Sequence, residues 1–172
     1  EGGPTEEPRA RQICLAALEG LVHLHSLGLV HGALRSGNVL LGPKSAAWLS
    51  DFGLASLRDA FGGDGNEAPS ERCWLAPELW GGEEASEASD VWALGCLAVE
   101  MLTGAQPFNA AVPVHVKADS DSPAPLRSEN TRQLHPLCRP FAERCLLWSP
   151  VDRPPSTDLL GHLASASAGG DG

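Results

Sequence analysis

Between Glu87 and Thr103 the apolar residues Val91, Leu94, Leu97, Ala98 and Met101 recur at three- and four-residue steps. This spacing predicts a helix, and its apolar positions cover most sides instead of a single stripe. A helix of that kind belongs inside a fold, with other elements packed around it. The chain is long enough to supply them. Its 172 residues, 42% of them apolar, suffice for one domain burying roughly 70% of its unfolded surface.

The surrounding elements follow from pattern. Ile13, Ala17, Leu18, Leu21 and Leu24 form one apolar stripe, and Gly28 closes that helix. Val39-Leu40-Leu41 and Ala47-Trp48-Leu49 flank Gly42-Pro43-Lys44, which reads as a two-strand unit around a turn. Further helices fit Leu134–Trp148 and Pro155–Ala164. Residues 1–10 are expected as a linker, 56–73 as a mobile loop, and 104–131 as a Pro-interrupted loop. The tail, 165–172, is too small and polar to pack and is expected to be disordered. The fold class is therefore mainly α with a small β unit.

Charge and cysteines narrow the function. Twelve basic against twenty-two acidic residues give a net charge of −10, no footprint for nucleic acid or for an anionic membrane surface. Charged residues interrupt every apolar run before it can span a bilayer, so no membrane insertion is expected. The five cysteines, Cys14, Cys73, Cys96, Cys138 and Cys145, show no C-x-x-C spacing, and the opening residues 1–8 lack the basic start and apolar stretch of a signal peptide. They are expected as free thiols in a reducing, cytoplasmic compartment. His135 and Cys138 stand three apart without further ligands, a coincidence and not a zinc site. The sequence starts at Glu1 and its only methionine is Met101, as expected of a piece of a longer protein.

Chemistry-bearing residues occur in five ordered blocks. His31-Gly32-Ala33-Leu34-Arg35-Ser36-Gly37-Asn38 comes first, then Asp51-Phe52-Gly53, then Ala76-Pro77-Glu78. Ser89-Asp90-Val91-Trp92-Ala93-Leu94-Gly95 and Asp152-Arg153-Pro154 complete the series. Together they resemble the protein kinase signature H-R-D-L-x-x-x-N, D-F-G and A-P-E, over residues 11–164. The resemblance implies the large, mainly helical lobe of a Ser/Thr kinase, with the small lobe absent from this chain. The run Ala17-Leu18-Glu19-Gly20-Leu21 to His31-Gly32 is similar to mitogen-activated kinase-kinase-kinases, including the NF-κB-inducing kinase branch. Arg35 points mildly away from that group.

What the resemblance implies for individual residues is uneven. Asn38 and Asp51 match the two Mg²⁺-binding positions, and Leu40 the apolar floor of the adenine pocket. Arg35 stands where the family has a Lys that neutralises the transferring phosphoryl group, keeping the charge but not its compact geometry. Ala33 stands at the proton acceptor's position and has no lone pair, which should cost roughly 10²–10⁴ in rate. Glu71 replaces the Thr that ties substrate loop to catalytic loop. Glu78 and Arg153 match a buried ion pair, and Asp90 a residue capping the catalytic-loop backbone. ATP and Mg, the family's cofactors, are therefore expected to bind weakly or not at all.

The expected function is that of a pseudokinase, a scaffold or regulator binding other signalling proteins or kinases. The alternative is a truncated fragment of an active ATP-dependent Ser/Thr kinase acting on proteins. Elsewhere the plain readings stand. His23 and His25 are expected as surface or packing residues, His31 as a core histidine, and Trp74, Trp80, Trp92 and Trp148 as core and segment anchors.

Overall fold

The computed structural model describes residues 3–43, 46–53, 73–107 and 138–165. Five helices and one two-stranded sheet are formed there: α1 (Glu7–Ser26), β1 (Val39–Leu41), β2 (Ala47–Leu49), α2 (Pro77–Trp80), α3 (Glu87–Thr103), α4 (Arg139–Cys145) and α5 (Ser156–Ser165). Short 3₁₀ turns cover Ser36–Asn38 and Pro150–Asp152.

The central helix is where its pattern put it. Every residue of α3 from Ser89 to Val99 is buried, because α1 packs on one side and α4 on another. Its start is fixed by a reciprocal cap: Ser89 N donates to Ser86 Oγ (3.3 Å) and Ser86 N to Ser89 Oγ (2.9 Å). Its end is fixed by Gly104, whose left-handed backbone (φ 68°) returns its amide to Glu100 O. Gly95 lets α3 and the end of α4 come close together. A Cβ there would lie 2.6 Å from Cys145 Cβ and 2.8 Å from Leu146 Cγ. Gly95→Ala is therefore expected to destabilise the fold by about 1–3 kcal/mol through overpacking, measurable by urea unfolding; an unchanged midpoint would show that α4 can move away.

The β unit is antiparallel with Val39 opposite Leu49, Leu40 opposite Trp48 and Leu41 opposite Ala47. It sits on α1 through β2, and α1 in turn packs on α5. Leu18, Leu21, Trp92, Leu94, Leu97, Phe141, Leu146 and Leu159 fill the shared core.

Several boundaries differ from the sequence expectation. Residues 7–10, expected as linker, are the first turn of α1, with Ala10 buried. Thr5 N donates to Met101 O (2.7 Å), one of the carbonyls that the end of α3 cannot satisfy itself. Pro4 fits against Gly104, where a Cβ would come within 2.8 Å of Pro4 N. Polar composition concealed a segment docked through its backbone.

The helix expected over Leu134–Trp148 runs from Arg139 to Cys145, and 134–137 lie outside the described residues. It stops because Arg153 draws the Leu147 and Trp148 carbonyls out of helical register (2.7 and 3.1 Å). Of the expected 56–73 loop, only Cys73 is described, and it is fully buried. Most of the expected 104–131 loop, Glu71 and the tail beyond Ser165 fall outside the described residues.

Candidate functional site

The segment between α1 and β1 carries three of the candidate residues, Ala33, Arg35 and Asn38, and a buried carboxylate builds it. Asp90, on the first turn of α3, accepts from His31 N at Oδ2 (2.7 Å) and from Gly32 N at Oδ1 (2.8 Å). His25 Nε2 lies 3.0 Å from the same Oδ2, while its Nδ1 lies 2.9 Å from Ser156 Oγ on α5. One imidazole thus links α1, α3 and α5. The expectation for His25 was surface or packing; its side chain is 5% exposed and fully bonded. The signal available in sequence was its place one turn after Leu21 on a buried stripe, which cannot reveal partners 65 and 131 residues away.

His31 itself is wholly buried, and Ala33 N donates to its Nδ1 (3.3 Å). Burial pushes this imidazole below its ordinary pKa, against the opposing pull of Asp90. Its carbonyl accepts Gly53 N (2.9 Å), tying the Asp51-Phe52-Gly53 turn to the segment. The Asn38 amide nitrogen donates to Ala33 O (2.8 Å), closing the loop over five residues. The loop is therefore fully held in place around Ala33, whose side chain offers only a methyl group.

Asn38 and Asp51 are brought together through Ser50. Ser50 N donates to Asn38 O (3.0 Å), and the Ser50 hydroxyl lies 3.0 Å from Asp51 Oδ2 and 3.3 Å from Asn38 O. With its amide nitrogen on Ala33 O, Asn38 has the carbonyl Oδ1 left for a cation, and Asp51 is exposed. These are hard oxygen donors of the kind Mg²⁺ takes. Asp51 also adopts φ 61°, left-handed and costly for most residues though tolerated by Asp.

Arg35 has extended backbone, and its guanidinium lies beside Gly37, where a Cβ would be 3.8 Å from Cζ. Leu40 lies on β1 with its side chain 54% exposed.

A residue absent from the sequence reading completes the frame. Glu100 on α3 accepts from Ser36 Oγ (3.0 Å) and from Trp74 Nε1 (3.1 Å). It thereby joins the His31–Asn38 loop to the stretch just before Ala76-Pro77-Glu78. Partial burial raises its pKa, while the two donors oppose that rise. Nothing in the local pattern distinguishes Glu100 from a solvated helix residue. Further down, Arg153 is fully buried and forks onto Glu78, with Nη1 to Oε1 at 2.6 Å and Nη2 to Oε2 at 2.8 Å.

The protein kinase domain model matches residues 1–163. The chain belongs to the protein kinase family. Among its curated relatives, a MAP kinase kinase kinase, mkh1 of Schizosaccharomyces pombe, is 32% identical over 93% of this chain and 15% of its own length. Mitogen-activated protein kinase kinase kinase 17 of Arabidopsis thaliana is 33% identical over 94% of this chain and 44% of its own. Serine/threonine-protein kinase PAK 4 of Homo sapiens is 29% identical over 95% and 28%. The chain thus spans between about a seventh and under half of these relatives' length. The Ser/Thr, kinase-kinase-kinase-like resemblance read from the motif blocks agrees with these matches.

The five kinase-domain cysteines are all buried, and none of them forms a disulfide. Burial raises the thiol pKa values of Cys14, Cys96 and Cys145 and pushes Cys138 up to about 12, so these four thiols stay protonated and unreactive. No helix among the described residues is long and apolar enough to cross a membrane.

Proposed function

We propose that this kinase domain is catalytically inactive and serves as a scaffold or regulator in kinase signalling. One observation carries the reading: a catalytic loop whose backbone is bonded at His31, Gly32 and Ala33 surrounds a methyl group. Phosphoryl transfer by this family is mainly positioning and charge neutralisation, with one carboxylate taking the substrate hydroxyl proton. Ala33 cannot take it. Asn38 and Asp51 could still hold Mg²⁺, which when bound screens nucleotide phosphates, and Arg35 adds a positive charge nearby. Binding of ATP–Mg without useful transfer is the behaviour this set supports, with both cofactors held weakly.

The domain is read as a kinase large lobe over residues 11–164, with 1–10 leading in and 165–172 trailing, acting in the cytoplasm. Its partners are signalling proteins or kinases, engaged through residues 104–135 and the activation segment. The second reading, a truncated piece of an active Ser/Thr kinase, draws on the retained Asn38 and Asp51 and on the small share of each relative that the chain spans.

Phosphate transfer to a peptide by the intact gene product, beside ATP–Mg binding by thermal shift, separates the two. The expected result is a shift with turnover at least about 10²-fold below that of the Ala33→Asp variant. Ordinary turnover by the wild type, abolished by Asp51→Ala, would establish the active reading instead.

A further inference from the structure

The hydroxyls of Ser26, Ser86, Ser89 and Thr103 bond within their own helix or its cap. Ser36 differs. It is exposed, and its Oγ donates to Glu100 Oε1 (3.0 Å), 64 residues away on α3. The other oxygen of the same carboxylate, Oε2, accepts from Trp74 Nε1 (3.1 Å). Partial burial pushes the Glu100 carboxyl up, so these two donors are what favour its charged form. Trp74 is buried, and its indole N–H depends on Glu100 as acceptor. One carboxylate thus fixes the His31–Asn38 loop against the stretch before Ala76, and Ser36 is the solvent-facing end of that tie.

The surroundings of Ser36 also suit a larger anion. Gly37 beside it is exposed and has no side chain, and the Arg35 guanidinium lies over that place, with Cζ 3.8 Å from where a Cβ would be. The guanidinium fork matches phosphate oxygens as well as carboxylate ones. A phosphate on Ser36 would meet a cation one residue away and a carboxylate where the hydroxyl now bonds. It attracts the first and repels the second.

We propose that Ser36 is a phosphorylation site, and that its phosphate frees the segment beginning at Cys73 from the His31–Asn38 loop by displacing Glu100. The step is a phosphoryl transfer from a nucleoside triphosphate, catalysed by a separate kinase. The bond from Ser36 Oγ to phosphorus forms, the bond to the departing nucleoside diphosphate breaks, and the hydroxyl proton passes to that enzyme's base. Roughly −2 of charge then stands beside Glu100 where a donor stood before. Glu100 turns away from Ser36, and Trp74 loses its charged acceptor. The inference goes beyond the inactive-kinase reading and does not rest on it.

Phosphopeptide mass spectrometry of the intact gene product, isolated from its own cells with phosphatases inhibited, is expected to find phosphate on Ser36. Hydrogen exchange reads the consequence in intact protein whose Ser36 carries phosphate through site-specific phosphoserine incorporation. Exchange over Cys73–Trp80 should rise about tenfold to a hundredfold, as loss of a hydrogen bond to a charged group predicts. The α3 core, Ser89–Val99, should exchange as before. Ser36→Ala removes the donor without adding charge and should raise exchange over Cys73–Trp80 less than about threefold. In a Glu100→Gln background there is no like charge to repel, so phosphate should add less than about threefold to what that variant shows alone.

Absence of phosphate at Ser36, both in cells and after incubation of the protein with Mg–ATP and an extract of those cells, overturns the proposal. So does phosphate that leaves exchange over Cys73–Trp80 unchanged, or that speeds the α3 core equally, which is general unfolding. These outcomes leave the inactive-kinase reading untouched. Ordinary phosphate transfer by the wild type sinks that reading and leaves the Ser36 switch standing.

Discussion

Replacing Arg153 with methionine is expected to lower stability by about 3–5 kcal/mol and the melting temperature by roughly 6–20 °C for a domain of this size. The guanidinium has no exposed surface and spends its donors on five acceptors. Two are the Glu78 carboxylate oxygens, and the others are the carbonyls of Leu147, Ala88 and Trp148 (2.7, 2.9 and 3.1 Å). It also lies 5.0 Å over the Trp92 ring. Methionine keeps the stem's bulk but leaves Glu78, 6% exposed in its side chain, as an unpaired buried carboxylate.

That stranded charge, more than the lost attraction, sets the size of the effect. The double variant Glu78→Leu/Arg153→Met should therefore be less damaged than Arg153→Met alone, because no charge is left buried. Thermal and urea unfolding of both variants check this. A single variant within 1 kcal/mol of wild type, or a double variant worse than the sum of the singles, contradicts the account.

The second large effect is expected at Asp90. Asp90→Ala strands three donors at once: the His31 and Gly32 amides and the His25 ring nitrogen. Each unmet buried donor costs about 1–3 kcal/mol, so a sum of at least ~3 kcal/mol is expected. The damage should be localised as well as global. In hydrogen exchange, the His31 and Gly32 amides should lose protection before the α3 core does, since α3 keeps its Ser86–Ser89 cap. Equal protection of these amides in wild type and variant would show that the loop is held by something other than Asp90.

The same residues show where sequence reading reached and where it stopped. Helical periodicity placed α3 at its observed bounds because burial on nearly all sides leaves a pattern in composition itself. The hairpin strands were equally legible, since short apolar runs around Gly42-Pro43 have few other uses. The resemblance to the kinase motifs singled out Glu78, Asp90 and Arg153, and the ion pair and the loop cap are both formed. The first turn of α1 was misread, because its docking runs through backbone groups that all sequences share.

By itself, then, the order of residues determined the family, the central helix and the methyl group that stands at Ala33, because each is a property of side-chain identity at fixed spacing. Only tertiary structure decided that His25 bridges three helices, that Glu100 joins two loops, and that Leu40 and Trp48 share an open face. Those facts depend on which distant segments meet, and a hydrogen bond or a shared surface across 65 residues leaves no mark on the local pattern at either end.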